Sequence, residues 1–225
     1  MWSPPGPDVA IPLPDRHALV TSRYEDPTMD RAEVVSQIFE IFRTRGHRSY
    51  GEHVTELQHA LQCATFAEEA GDSAAVVAAS LLHDIGHLIH DLGEDIADRG
   101  VDARHERIGA NLLSQWFGPE VVEPVRMHAD SKRYLCAMED GYFTALSEAS
   151  QKSLALQGGP MTPEEARQFE VHDHFRAAIR VRRWDDLGKV PDMPTLPLEA
   201  FRPLLELLVR VRPQFSHPVA AHVGC

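Results

Sequence analysis

The run Ala78-Ala79-Ser80-Leu81-Leu82-His83-Asp84-Ile85-Gly86-His87 restricts the fold more than any other stretch of the chain. It is apolar on both sides of an adjacent imidazole and carboxylate, and burying such groups is costly unless they are paired or bound to a metal. Neighbours on a helix point about 100° apart, so His83 can hold one metal while Asp84, with its two oxygens, reaches a second. His87, one turn on, falls on the His83 face. Two other His-Asp pairs read as solvated: His90-Asp91 runs into the polar loop Gly93-Glu94-Asp95, and His172-Asp173 lies in the charged stretch from Glu164 to Arg176.

The helix carrying that run is expected from Ala74 to about His90, capped by Ser73 after Gly71-Asp72. Asp30 and Glu33 predict a capping box for an earlier helix with the stripe Val34, Val35, Ile38, Ile41 and Phe42. The link Gly46 to Glu52 reads as a lid leading into a second helix, about His53 to Ala70, with Leu57, Ala60, Leu61, Ala64 and Ala67 inward and His59 at the edge. A helix starting at His105 stops at Gly118-Pro119, and a short one then places His128 on the face of Val121, Val122 and Val125. Later pieces are expected at Lys132–Met138, Tyr142–Leu146, Pro163–Arg180, Arg182–Lys189 and Leu198–Val211. No alternating strand of useful length is found, so the fold class is all-α. Residues 1–28, with six prolines, read as an arm, residues 29–212 as one domain, and residues 213–225 as a loose tail.

A chain of 225 residues suits one enzyme-sized domain. The formal charge of −12, with no basic cluster, argues against nucleic acid and anionic membrane as partners. No stretch approaches the roughly 20 apolar residues of a membrane span, the start lacks a leader pattern, and the expected location is cytoplasmic. Cys63, Cys136 and Cys225 are few, odd in number and far apart, which argues against a disulfide framework and a thiolate zinc site and reads as inert thiols.

Taking the inward edge of each helix collects His59, His83, Asp84, His105 and His128, joined by Asp185 beside Trp184 and Leu187. Four imidazoles and two carboxylates exceed the three or four ligands of one zinc ion. They suit two first-row metals bridged by Asp84, and nitrogen and oxygen donors admit iron, manganese, zinc or nickel. Lys132, four residues after His128, shares its face if the helix continues through Asp130, and Arg182, three before Asp185, shares that residue's face; together they predict an anion site.

In its order of ligands the chain resembles the dimetal branch of the HD-domain superfamily. Tyr50-Gly51-Glu52, Gln58-His59-Ala60-Leu61-Gln62, His128 to Lys132, Ser150 to Pro160 and Arg182-Arg183-Trp184-Asp185-Asp186 resemble, more narrowly, the mixed-valent diiron oxygenases that cleave 1-hydroxyphosphonates. The resemblance covers roughly residues 33 to 190. It implies an HD-domain helical bundle and two irons, Fe(II) and Fe(III), with O2 as co-substrate. One iron would be held by His59, His83, Asp84 and Asp185, and the other by Asp84, His105 and His128. Lys132, Arg182, His87 and Ser150 would take a small anionic phosphonate. Tyr50 would act as a lid and placeholder ligand, with Glu52 closing over a 2-amino or 2-trimethylamino substituent. The implied products are a carboxylate and inorganic phosphate. The rival is a metal-dependent phosphohydrolase or phosphodiesterase, since the same ligands around non-redox ions would activate water.

Overall fold

The computed structural model describes residues 30–50, 53–90 and 100–210, all within one unit, Met29–Pro213. The proline-rich arm, Glu52, the acidic loop and the C-terminal tail lie outside the described residues. Helix α1 (Arg31–Arg45) begins at the capping box: the Glu33 N–H donates to Asp30 at 2.8 Å and the Asp30 N–H to Glu33 at 2.9 Å. Its stripe of Val34, Val35, Ile38, Ile41 and Phe42, joined by Phe39, is buried.

A small hairpin follows, β1 (Ser49–Tyr50) against β2 (Val54–Thr55), with Tyr50 opposite Val54. Because the hairpin takes residues 54 and 55, helix α2 (Glu56–Glu69) starts three residues later than expected. Thr55 and Gln58 form its capping box, a Thr-x-x-Gln signal that the sequence carried.

The central helix is not continuous to His90. Helix α3 (Ala74–Leu82), capped by Ser73, ends before His83, and α4 (Ile85–Ile89) begins after Asp84, whose backbone at φ −100°, ψ 10° leaves the helical region. The break has a use. On a straight helix the two side chains would diverge, whereas at this turn His83 Nε2 and an Asp84 oxygen lie 3.2 Å apart and face one centre. Leu81, Leu82, Ile85 and Leu88 around the turn are at most 1% exposed. Each contributes about 1.5–3 kcal/mol by burial, which offsets the cost of drawing the polar pair inward.

Further boundaries differ from expectation, and Glu148–Leu156 is a helix that was not expected. Helix α5 (His105–Leu113) starts as predicted but ends at Leu113, before the expected stop at Gly118-Pro119, and the next helix runs unbroken as α6 (Pro119–Met138), so His128 and Lys132 share one face. After α7 (Tyr142–Ala145) and α8 (Glu148–Leu156), the piece expected at Pro163–Arg180 divides into α9 (Pro163–Glu170) and α10 (Phe175–Leu187). The turn between them is closed by the His172 ring accepting from the His174 N–H at 3.2 Å, a local bond that competes with helix continuation. Arg182 and Asp185 therefore belong to one helix that begins upstream. The last predicted helix is a 3-10 turn (Leu198–Phe201) leading into α11 (Arg202–Leu208).

The fold is all-α apart from the hairpin, among the described residues. Helix α6 packs against α3, α5 and α10, α10 packs also on α2 and α3, and α4 lies on α5. The end of α3 thus reaches the middle of the bundle, where five elements present polar side chains to one another. No helix among the described residues is long and apolar enough to cross a membrane.

Candidate metal centre

The structure brings His59, His83, Asp84, His105, His128 and Asp185 together as two adjoining groups. His59, His83, Asp84 and Asp185 form one, and Asp84, His105 and His128 the other, each with donor atoms within 4.8 Å of one another. Asp84 belongs to both. One of its oxygens is 3.5 Å from His59 Nε2 and 3.2 Å from His83 Nε2. The other is 3.3 Å from His105 Nε2 and 3.4 Å from His128 Nε2. A carboxylate with one oxygen toward each pair of imidazoles has the layout of a bridging ligand.

The backbone fixes which ring nitrogen is available. His59 Nδ1 meets the Gly188 carbonyl at 2.8 Å, His83 Nδ1 the Ser80 carbonyl at 2.9 Å, and His128 Nδ1 the Val125 carbonyl at 2.7 Å. A carbonyl only accepts, so each Nδ1 carries the proton and each Nε2 presents a lone pair to the centre. Burial, as the leading cause, pushes His59 and His128 down, toward the neutral imidazole.

Those lone pairs point at one another. His59 Nε2 and His83 Nε2 are 3.1 Å apart, His105 Nε2 and His128 Nε2 3.0 Å, and the buried Asp84 Oδ1 has no hydrogen-bond donor. Electron pairs this close, beside an orphaned carboxylate oxygen, are repulsive without a cation between them. The residues therefore fit a metal in each group, with four nitrogen and oxygen donors in the first and three in the second. Burial opposes the charge on Asp185, but the Arg182 guanidinium, and after it Lys189, hold that carboxyl well below the usual range. It is ionised and ready to bind.

Cys63 was set aside as inert, yet its sulfur is 3.7 Å from His59 Nε2. The thiol donates to the Trp184 carbonyl at 3.3 Å, and burial pushes it well above the ordinary thiol value. A neutral thiol that is already hydrogen-bonded adds packing rather than a thiolate ligand.

Lys132 and Arg182, two of the residues expected to take an anion, are both buried. Lys132 is only 3% exposed, and its Nζ donates to Ser153 Oγ at 2.6 Å. Burial, then the charge of Arg182, lowers it to about 7. Ser150 is buried, with its carbonyl accepting from Ser153 Oγ at 3.1 Å. Arg182 Nη1 donates to Asp185 Oδ2 at 2.5 Å. The His87 ring stacks on His105 with centroids 3.9 Å apart, beside the second group but outside both ligand sets.

Tyr50 covers the first group. Its ring stacks on His59 at 3.8 Å and its hydroxyl donates to Asp185 Oδ1 at 3.1 Å. The link between α1 and the hairpin is tied to α4, with Arg45 at the end of α1 donating to the Leu88 carbonyl at 2.9 Å and Arg48 to that of His87 at 3.3 Å. Glu52, expected as a second lid residue, lies outside the described residues. Of the two His-Asp pairs read as solvated, His172 and Asp173 are exposed in the turn before α10, whereas His90 is half-buried with its ring edge-on to His87 at 5.7 Å between centroids, a packing contact that the polar sequence after it hid, and Asp91 lies outside the described residues.

Sequence reasoning missed four contributors. Lys189 Nζ is 3.4 Å from Asp185 Oδ1 and 5.7 Å from the Tyr50 ring centroid, and its place four residues after Asp185 was a legible signal. Ser153 holds Lys132. Gly188 supplies the carbonyl for His59 by close approach, since a Cβ there would stand 2.5 Å from Cys63 Sγ and 3.0 Å from His59 Nδ1. Gln62 latches the same link, bonding both the N–H and the carbonyl of Val190 at 2.9 and 2.8 Å. Nothing in the sequence pointed to Gly188, and Gln62 entered only as the end of the Gln58-to-Gln62 motif, without this role.

A helical bundle with a buried His-Asp turn at its centre and further histidines and an aspartate around it defines the class. The HD domain pattern matches residues 57–178, and the chain belongs to the HD domain family. Within that family it is 42% identical over 182 residues to the [1-hydroxy-2-(trimethylamino)ethyl]phosphonate dioxygenase (glycine-betaine-forming) of Leisingera caerulea, covering 80% of this chain and 93% of that one. It is 39% identical over 175 residues to the hydroxymethylphosphonate dioxygenase of Gimesia maris, covering 77% and 87%. A third relative, 33% identical over 174 residues and covering 76% and 80%, is an uncharacterized protein of Acanthamoeba polyphaga mimivirus.

Proposed function

We propose that this chain is an O2-dependent diiron oxygenase that cleaves the C–P bond of a 1-hydroxyphosphonate, giving a carboxylate and inorganic phosphate. The observation that carries the reading is the pairing of two metal groups sharing Asp84 with Lys132, a buried ammonium whose protein partner is a neutral hydroxyl. A buried cation without a carboxylate partner calls for an anion. The kinship with two phosphonate dioxygenases names that anion's class and the redox chemistry.

His59, His83, Asp84 and Asp185 would hold one iron, and Asp84, His105 and His128 the other, where the smaller donor set leaves room for substrate oxygens. Bound iron, cycling between Fe(II) and Fe(III), supplies the one-electron and O2 chemistry that no side chain provides. The chain binds, orients and shields. Lys132, Arg182, His87 and Ser150 receive the phosphonate so that C1 is set beside the metal groups. Tyr50 sits over His59 and keeps water from the first group until substrate takes its place, with Glu52 as the second lid residue. The overall change balances: R–CH(OH)–PO3²⁻ and O2 become R–COO⁻, HPO4²⁻ and H⁺, with the C1–H and C–P bonds broken.

Anaerobic iron loading followed by O2 and a panel of 1-hydroxyphosphonates tests the proposal. Phosphate should appear in step with O2 consumed for at least one substituent. Hydrolysis of nitrophenyl phosphate esters without O2 uptake would instead establish the phosphohydrolase reading.

Lys132 makes a separate expectation about pH. Its protonated form attracts the phosphonate, and its value near 7 means that the cation is lost as pH rises. KM should therefore climb above pH 7, while in Lys132→Met it is raised at least about tenfold and no longer follows pH in that range. Steady-state kinetics from pH 6 to 9 measure both. An unchanged KM in Lys132→Met would remove the residue from the anion site.

A further inference from the structure

Arg182 is held from three sides. Its guanidinium is 3% exposed, and each of its three nitrogens has a protein acceptor. Nε donates to the Tyr142 hydroxyl at 3.1 Å, Nη1 to Asp185 Oδ2 at 2.5 Å, and Nη2 to Asp186 Oδ1. The Tyr142 hydroxyl donates in turn to Asp186 Oδ2 at 2.5 Å, which closes a ring of tyrosine, carboxylate and guanidinium. Tyr142 opens α7, so this contact joins α7 to α10, and the Arg183 guanidinium covers its ring at 5.3 Å from the centroid.

The arrangement leaves a defined remainder. Of five N–H donors on a guanidinium, three are committed to the protein, so Nη1 and Nη2 keep one each. Nη1 also grips Asp185, a member of the first metal group. Two of the three contacts that turn the fork thus come from residues outside the centre, and the direction of its two remaining donors follows from Tyr142 and Asp186 together with Asp185. Neither residue is a member of the metal groups.

We propose that Tyr142 and Asp186 are positioning residues that hold the Arg182 fork beside Asp185 and so set how tightly the site takes a tetrahedral oxyanion, phosphonate or phosphate. This rests on the anion reading of the site given above. The tyrosine hydroxyl does two things at once, accepting from Nε and donating to Asp186. Phenylalanine keeps the ring but leaves Nε and Asp186 Oδ2 without that partner. The guanidinium, held then only by Asp185 and Asp186, is free to turn about those two bonds. Loss of a hydrogen bond to a charged group is worth about a tenfold change in binding.

The experiment uses the full chain loaded with iron, comparing wild type, Tyr142→Phe and Asp186→Asn. Iron per chain is measured, with KM and kcat for hydroxymethylphosphonate and the Kd of inorganic phosphate by calorimetry. In Tyr142→Phe, KM and phosphate Kd should both rise about tenfold, with kcat within about twofold and iron content unchanged. Asp186→Asn keeps an acceptor for Nη2 and should move both constants in the same direction by less. A structural role would lower iron content and kcat and spare KM. That pattern, or unchanged KM and Kd in both variants, overturns the proposal. If wild type binds phosphate yet consumes no O2 with any phosphonate, the oxygenase reading fails while the phosphate Kd still decides the role of Tyr142 and Asp186.

Discussion

Asp84→Ala is expected to empty both metal groups at once and to lower turnover at least about a thousandfold. The reason is its double membership: one oxygen faces His59 and His83, the other His105 and His128, at 3.2 to 3.5 Å. Its loss leaves two imidazole pairs with less negative charge and no tie between them. Even residues that only orient a ligand alter metal affinity by about ten- to a hundredfold, and a shared ligand should exceed that. Iron per chain after gel filtration, with O2 uptake, measures the effect. Asp185→Ala, by contrast, should deplete the first group and leave the second loaded, while still abolishing turnover. His172→Ala, in the exposed turn before α10, should change neither quantity. Full iron content in Asp84→Ala would remove the bridge from the account.

Gly86→Ala carries the second large effect, and it acts through backbone packing. A Cβ on Gly86 would stand 2.0 Å from the His105 carbonyl oxygen and 3.0 Å from the Gly109 nitrogen, both backbone atoms that cannot swing aside. The glycine is there because α4 and α5 approach too closely for any side chain. Forcing them apart should cost roughly 3 kcal/mol or more, at the upper end of overpacking, which lowers Tm by roughly 6 °C or more for a domain of this size. The start of α5 must move, and His105 is its first residue. Iron should thus be lost from the second group before the first. Thermal unfolding and metal content follow the two consequences, and an unchanged Tm would show that the helices have slack.

Several features were legible because they depend on short-range chemistry. The α1 capping box and Ser73 at the start of α3 are local signals, and the helices begin there. The inward stripe of α1 follows from the 3.6-residue period alone. The break at His83-Asp84 was not legible, since the apolar pattern runs straight through it and only convergence on a centre shared with α5, α6 and α10 favours the turn. The division of Pro163 to Arg180 was lost for a related reason. A charged, histidine-rich stretch looks helical by composition, and the His172 bond that closes the turn is one local interaction among many that the chain permits.

What the amino-acid order settled by itself is which side chains have to be buried and which chemistry can make that burial tolerable: imidazoles and carboxylates on apolar faces, with Lys132 and Arg182 one turn from two of them. Tertiary structure alone decided how those groups are shared. That Asp84 turns one oxygen to each imidazole pair, that Gly188 lends a carbonyl to His59 from 129 residues away, and that Tyr142 closes on Arg182 from 40 residues away depend on helix packing. Periodicity along one helix reports the face a residue occupies and carries no information about which face of another helix will meet it.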